Sequence, residues 1–391
     1  MTPAETMTQT NPSSNSDSLL VVDDLRTHFH VDAGIVKAVD GVSFSLERGT
    51  TLGIVGESGS GKTVLSRSIM RLNTGGNAVT TGSVNYDGTE LVGLEPKQLK
   101  SMWGTEMAMV FQDPMTSLNP VVKIGRQITE HLRFHLAVSR QEAKRLGIEL
   151  LRSVRIPEPE ARFNTYPHQL SGGMRQRVSI AIALACGPRI LFADEPTTAL
   201  DVTVQHQILN LLRFQQRDRF MTMILVTHDL GVVAGRTDEI AVMYAGKIVE
   251  KAPTKSLFRT LKHPYTEALL ASIPKVSNPK HTRLDAIAGR PPDLINPPTG
   301  CSFSPRCPYA QAKCFEQEPT LVPDADPGHQ FACWYPVGSA ENAEAYERNL
   351  ANEVPATLAA AGRLLATEEI VDTEAMVLAH VDSEGDKGAM N

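Results

Sequence analysis

The sequence has no apolar run long enough to cross a bilayer. A membrane helix needs about 20 predominantly apolar residues, and the best run here, Val178 to Cys186, is stopped by Gly187-Pro188-Arg189. A secretory signal is also missing. Met1 to Ser18 is polar, contains no lysine or arginine and has no apolar segment, so it reads as a disordered leader rich in Ser, Thr, Asn and Pro. Nor is there an excess of positive charge. The 391 residues carry a net −6, and Pro336 to Asn391 alone holds 11 acidic against 3 basic residues, which leaves a body of about +2. Nucleic acid is therefore not an expected partner. Cysteine is sparse, five residues in all, and no two form the C-x-x-C pair of a zinc ribbon. These absences describe a cytoplasmic chain that reaches a membrane only through partners.

What is present starts with Gly56-Glu57-Ser58-Gly59-Ser60-Gly61-Lys62-Thr63, preceded by the apolar run Thr51 to Val55. It fits G-x-x-x-x-G-K-[ST] between a short buried strand and a helix that starts at Lys62 and carries Val64, Leu65, Ile69 and Met70 on its apolar positions. Glycines at Gly56, Gly59 and Gly61 let successive N–H groups, with those of Ser58, Ser60 and Val64 nearby, converge on phosphate at a helix N-terminus. Lys62 is expected to bridge the β- and γ-phosphates of ATP, and the Thr63 hydroxyl to hold Mg²⁺.

A second apolar strand, Arg189 to Ala193, ends in Asp194-Glu195. Asp194 sits where a Mg²⁺-coordinating carboxylate belongs, and Glu195 where a carboxylate orients and deprotonates the attacking water. A third, Met223 to Thr227, ends at His228. Lys62, Asp194, Glu195 and His228 are thus all expected at the carboxyl ends of parallel strands, where open α/β sheets bind ligands. No nucleotide ligand is expected beyond His228.

Between these strands lies Leu170-Ser171-Gly172-Gly173-Met174-Arg175-Gln176-Arg177. It resembles the LSGGQ signature of ABC-type ATPases. Gln112 in Val110-Phe111-Gln112-Asp113-Pro114 looks like the Q-loop, a further Mg²⁺ ligand, and Asp201 in Ala199-Leu200-Asp201 looks like the D-loop. The resemblance implies an α/β P-loop cassette with a RecA-like core, an antiparallel β subdomain and a helical subdomain. It also implies that Ser171, Gly172 and Gly173 close on nucleotide held by a partner cassette, and that His228 stabilises γ-phosphate charge. The family's adenine-stacking aromatic is missing near Ala33, leaving Phe29 or His30, or aliphatic contact with Val36 and Val39, to hold the base.

Phe111 to Pro120, His263-Pro264-Tyr265-Thr266 and Gly300 to Cys307 are similar to the ATPase subunits of oligopeptide, dipeptide and nickel ABC importers. That resemblance covers nearly everything from Leu19 to Tyr335. It implies two cassettes, preferably a heterodimer, two membrane-spanning permease subunits docked between the Gln112 loop and the Arg126 to Val154 helices, and an extracytoplasmic peptide-binding protein. The subunit then lies at the cytoplasmic face of the membrane. Short peptides are the expected cargo, with nickel or oligosaccharide as alternatives. A soluble non-transport ABC ATPase is disfavoured, since the chain has neither tandem cassettes nor a long coiled-coil insertion. A non-hydrolysing nucleotide-binding protein is disfavoured by Glu195 and His228.

Cys301, Cys307, Cys314 and Cys333 cluster late in the chain, while Cys186 falls in an apolar stretch read as helix and core. Four clustered thiols in a cytoplasmic chain argue for metal rather than disulfides, and an all-thiolate set suits either zinc or a [4Fe–4S] cluster. Resemblance to the dipeptide-importer ATPases favours the cluster, in a structural role. The expected organisation is a leader (1–18), a cassette (19–253) with its helical part at about 112–171, a small Cys-containing C-terminal regulatory or structural domain (254–335), and an acidic tail (336–391). In that tail, Ala340 to Leu350 and Ala356 to Leu365 read as solvated surface helices.

Overall fold

The computed structural model describes residues 18–73, 75–198, 200–273, 287, 289–354 and 356–357. The expected leader, apart from Ser18, lies outside them, as does the expected helix Ala356 to Leu365 beyond Thr357. The chain opens with Ser18–Val31 (β1) and Gly34–Glu47 (β2), an antiparallel pair closed by a two-residue turn. Thr51–Val55 (β3) follows, buried throughout, and leads through the glycine-rich loop into Lys62–Ile69 (α1). Ala78–Tyr86 (β4) pairs with the free side of β1 and Thr89–Glu90 (β5) with β4, so β2-β1-β4-β5 form an all-antiparallel sheet. Leu20, Val22 and Leu25 of β1 face inward while Val21 and Asp23 face out, the alternation of a sheet wet on one side.

Pro96–Met102 (α2) and Met107–Val110 (β6) precede a helical stretch of Pro114–Ser117 (α3), Ile124–Leu136 (α4), Arg140–Ser153 (α5), Pro159–Arg162 (α6) and Gly172–Ala183 (α7). Ile124, Ile128 and Leu132 recur every four residues and are the buried stripe of α4. The Ser139 hydroxyl accepts from Glu142 N–H at 3.2 Å and caps α5. Helix α7 ends at Ala183, and Cys186 sits in the following turn, half-buried, with its Sγ 3.8 Å from His131 O. The reading of Cys186 as a helical core residue is thus corrected: Gly187, at φ +68°, and Pro188 close the helix before it.

Ile190–Asp194 (β7), Val202–Asp218 (α8), Thr222–Thr227 (β8), Leu230–Val233 (α9), Glu239–Tyr244 (β9) and Lys247–Pro253 (β10) complete the core. Strands β9, β3, β8, β7 and β6 run parallel in that order. Their side chains alternate between two cores. Leu191, Ala193, Met223 and Leu225 pack toward the helical side, and Ile190, Phe192, Ile224 and Val226 toward α1 and the antiparallel sheet. Burial on both faces is why these strands read as unbroken apolar runs.

Beyond Pro253 come Thr254–Arg259 (α10), Pro264–Ala271 (α11), Ala312–Glu316 (α12), Val322–Pro323 (β11), Gln330–Phe331 (β12) and Ala340–Ala351 (α13). This segment is stitched to the cassette, because β12 pairs with β10 and β11 with β12, extending the main sheet to eight strands. A buried carboxylate fixes the join. Glu250 of β10 accepts from Lys262 N–H at 2.7 Å and His263 N–H at 3.0 Å, and lies 2.7 Å from His329 Nε2. Helix α13 departs from the solvated reading: Ala345 is fully buried, and Asn349 Nδ2 donates to Pro308 O and Ala310 O at 3.1 and 3.0 Å.

Candidate active site

The parallel register sets the carboxyl ends of β3, β6, β7 and β8 side by side, and each strand delivers one part of the site. After β3, Gly61 takes φ +104°, and a Cβ there would fall 2.2 Å from Ala38 O. At Gly56 a Cβ would lie 2.1 Å from Met243 O. Only glycine lets the loop pass between these backbones. The Lys62 ammonium donates to Gly56 O at 2.8 Å and Glu57 O at 2.9 Å, inside the arc of the loop. Burial lowers the Lys62 pKa, against the pull of Glu195, Asp194 and Glu57.

Thr63 Oγ1 donates to Asp194 Oδ1 at 2.9 Å. Asp194 is almost wholly buried, its pKa raised by that burial, and its Oδ2 has no hydrogen-bond partner among the described residues. A buried carboxylate oxygen beside a hydroxyl is the hard-oxygen donor set that Mg²⁺ takes.

Glu195 is the hub. It sits at φ +43° just past β7. Its Oε2 accepts from Gln112 Nε2 at 3.1 Å and Thr198 Oγ1 at 2.9 Å, and lies 3.4 Å from His228 Nδ1. The His228 contact, more than opposing burial, holds the Glu195 pKa below the usual carboxylate range, and the same contact raises that of His228. The left-handed backbone at a non-glycine residue is strain kept at a point where the side chain must be aimed.

The other expected residues sit at the N-termini of helices α7 and α8. Ser171 caps α7, accepting from Met174 N–H at 3.3 Å, and Asp201 caps α8, accepting from Val204 N–H at 2.9 Å. A Cβ on Gly173 would meet Val204 Cγ1 at 2.7 Å, so the signature turn is packed on α8. Ala199 lies outside the described residues. Among the candidates for holding the base, Val39 is removed: it is fully buried in the core under the antiparallel sheet. Phe29 and Val36 are half-buried neighbours across the β1–β2 pair, and His30 is exposed.

Sequence reasoning placed nothing beyond His228 at this site, yet two later residues hold the phosphate loop. Glu57 N–H donates to Tyr265 Oη at 2.8 Å, and Arg306 forms a two-pronged ion pair with the Glu57 carboxylate at 2.6 and 3.0 Å. The motif His263-Pro264-Tyr265 and the basic residue before Cys307 were visible, but nothing local tied them to a loop some 200 positions earlier.

The four late cysteines line one small cavity with Phe303, Tyr309 and Trp334. Burial raises every thiol, to about 11 at Cys301 and about 12 at Cys333. Among the described residues no three His, Cys, Asp or Glu side chains converge as ligands of a metal ion. Zinc, which needs four donors on one point at about 2.3 Å, is therefore not matched.

Comparison with known proteins agrees with the architecture. Residues 39–198 match the family model described as ABC transporter, and residues 249–314 that described as oligopeptide/dipeptide transporter, C-terminal region. The chain is 50% identical to the oligopeptide transport ATP-binding protein OppD of Bacillus subtilis, over 81% of this chain and 88% of that one. It is 45% identical to the dipeptide transport ATP-binding protein DppD of Escherichia coli, over 83% and 98%. A solved structure of the ATP-binding cassette MJ0796, dimeric and bound to ADP and Pi, superposes with a TM-score of 0.55 at 28% identity, over 60% of this chain and 98% of that one.

Proposed function

This chain belongs to the ATP-binding subunits of oligopeptide and dipeptide ABC transporters, and on that premise we propose how its residues carry out the work. It is the ATPase of a peptide importer, and ATP hydrolysis powers the import. The observation that carries the residue-level reading is the convergence of Gln112, Thr198 and His228 on one oxygen of Glu195.

In this reading the loop N–H groups from Ser58 to Val64 hold the phosphates and Lys62 turns from the loop carbonyls to the β- and γ-oxygens. Thr63, Asp194 and Gln112 would hold Mg²⁺, which supplies charge neutralisation of the phosphates. Glu195, kept ionised, orients a water and accepts its proton as the water oxygen bonds to the γ-phosphorus. The bridging P–O bond breaks with its electron pair passing to ADP. His228, its cationic form favoured by Glu195, stabilises γ-phosphate charge in this reading.

Ser171, Gly172, Gly173 and Asp201 act on nucleotide held by a second cassette, preferably a distinct chain. The reading rests on the place of Ser171 and Asp201 at the N-termini of α7 and α8 and on the dimeric state of the MJ0796 cassette. Two permease subunits and an extracytoplasmic peptide-binding protein complete the importer, with this subunit on the cytoplasmic face. No helix among the described residues is long and apolar enough to cross a membrane. The test is assembly: the isolated chain hydrolyses ATP slowly, and adding its paired cassette and permeases raises the rate. Robust turnover in a demonstrably monomeric sample contradicts the shared site.

For the described residues of 254–335 we infer a structural role centred on Cys301, Cys307, Cys314 and Cys333. The four would hold a [4Fe–4S] cluster, which supplies cross-linking of their loops. Support comes from four soft donors around one cavity: thiolates spread over the corners of a cluster need not converge on a single point.

A further inference from the structure

The structure joins the four-cysteine loop to the phosphate loop through one arginine. Arg306 lies in the short turn Ser304–Arg306, immediately before Cys307. Its side chain is 3% exposed, yet its guanidinium spans both oxygens of Glu57, whose own side chain is 26% exposed. It also donates to Tyr244 Oη at 3.3 Å and Ile287 O at 3.2 Å, so most of its fork is engaged. Tyr244, Tyr265 and Phe303 wall this path, with ring centroids 4.5 to 5.4 Å apart. Tyr265 in turn takes the Glu57 N–H.

Glu57 is an awkward residue for its place. It puts a carboxylate within a loop built to surround polyphosphate, and like charges at such range repel. We propose that Arg306 is a positioning residue of the ATP site: it neutralises Glu57, holds that carboxylate on the side of the C-terminal segment, and so sets the affinity of the loop for nucleotide. The inference rests on the reading of this loop as the ATP site. A buried bidentate guanidinium is suited to the task because its charge is permanent and its geometry fixed. Since Cys307 directly follows this turn, a disturbance of the cysteine loop reaches the phosphate loop by this route.

The charges make the test specific. ATP affinity is measured on the full-length chain with Mg²⁺ by titration of a fluorescent ATP analogue. Arg306→Gln leaves one negative charge uncompensated and weakens binding about tenfold. Glu57→Gln leaves one positive charge and tightens it. The double variant returns toward wild type, and Arg306→Lys, which keeps the charge, stays closer to wild type than Arg306→Gln does. If the contact were packing alone, both single variants would weaken binding and the double variant would not recover; that pattern overturns the proposal. Should Arg306→Gln fail to fold, weaker binding by Glu57→Gln is by itself decisive against it. Wild-type protein that binds no ATP overturns the ATP-site reading as well, which separates the two failures. Cys307→Ser weakens ATP binding in the native chain and much less in the Glu57→Gln chain; an equal loss in both overturns transmission through this pair.

Discussion

In the nucleotide site each contributing segment follows directly on a strand of one sheet, after Val55, Val110, Asp194 and Thr227, whereas Cys301, Cys307 and Cys333 lie in loops and Cys314 in the short helix α12, with only short strands nearby. Rigid parallel strands aim the first set, so short contiguous motifs suffice to specify it. The second set is gathered by turns, by the strands β11 and β12, and by helix α13 from outside. The second depends on everything that surrounds it.

The largest contrast lies in catalysis. Glu195→Gln, measured in the assembled transporter, retains ATP and loses hydrolysis by about 10²- to 10⁴-fold, the usual loss on removing a general base. Near-normal turnover would take Glu195 out of that role and leave the strand-end constellation without its hub. On the cysteine side, anaerobically purified protein is brown and carries about four irons per chain, and Cys307→Ser removes both and lowers the melting temperature. Colourless protein with no iron would reduce the cavity to buried thiols and end the cluster reading.

A smaller effect tests whether the tail belongs to that region. Asn349→Ala takes a donor from both Ala310 O and Pro308 O, and Pro308 O keeps the Thr357 hydroxyl at 2.8 Å, so the cost falls mainly at Ala310 O, where leaving an acceptor unsatisfied costs about 1–3 kcal/mol. Denaturant unfolding at unchanged m-value reads it. No change would mean that α13 lies on the cysteine loops without holding them.

The smallest concerns the pair Glu195–His228. Its His228 half has a raised folded-state pKa, so the stability it adds is present below the ordinary 6.5 and lost as pH climbs through the raised value. Its Glu195 half has a lowered pKa, so that contribution is present above the ordinary 4.5 and lost as pH falls through the lowered value. Because the His228 side chain is 56% exposed, solvent screens the pair and its energy is slight. The shift itself is measurable: in NMR titration the His228 pKa falls toward 6.5 in Glu195→Gln. An unmoved value would mean that the contact does not govern either group.

Motif order alone sufficed to set the glycine-rich loop, the acidic pair and the histidine at the carboxyl ends of parallel strands, because a few consecutive residues encode each strand terminus. Unbroken apolar runs at Thr51 to Val55, Ile190 to Ala193 and Met223 to Thr227 likewise marked strands covered on both faces, since burial on each side leaves no polar alternation. Partners far apart in sequence were decided only by the fold. Val39 was lost as a candidate for the base because pairing turned it into the core. The join of the C-terminal segment to β10, the docking of α13, and the reach of Tyr265 and Arg306 to Glu57 all needed three-dimensional closure. Ion pairs such as Glu57–Arg306 and strand pairings such as Glu250 with Phe331 leave no local period or spacing in a chain; they exist only once the sheet has brought the distant segments together.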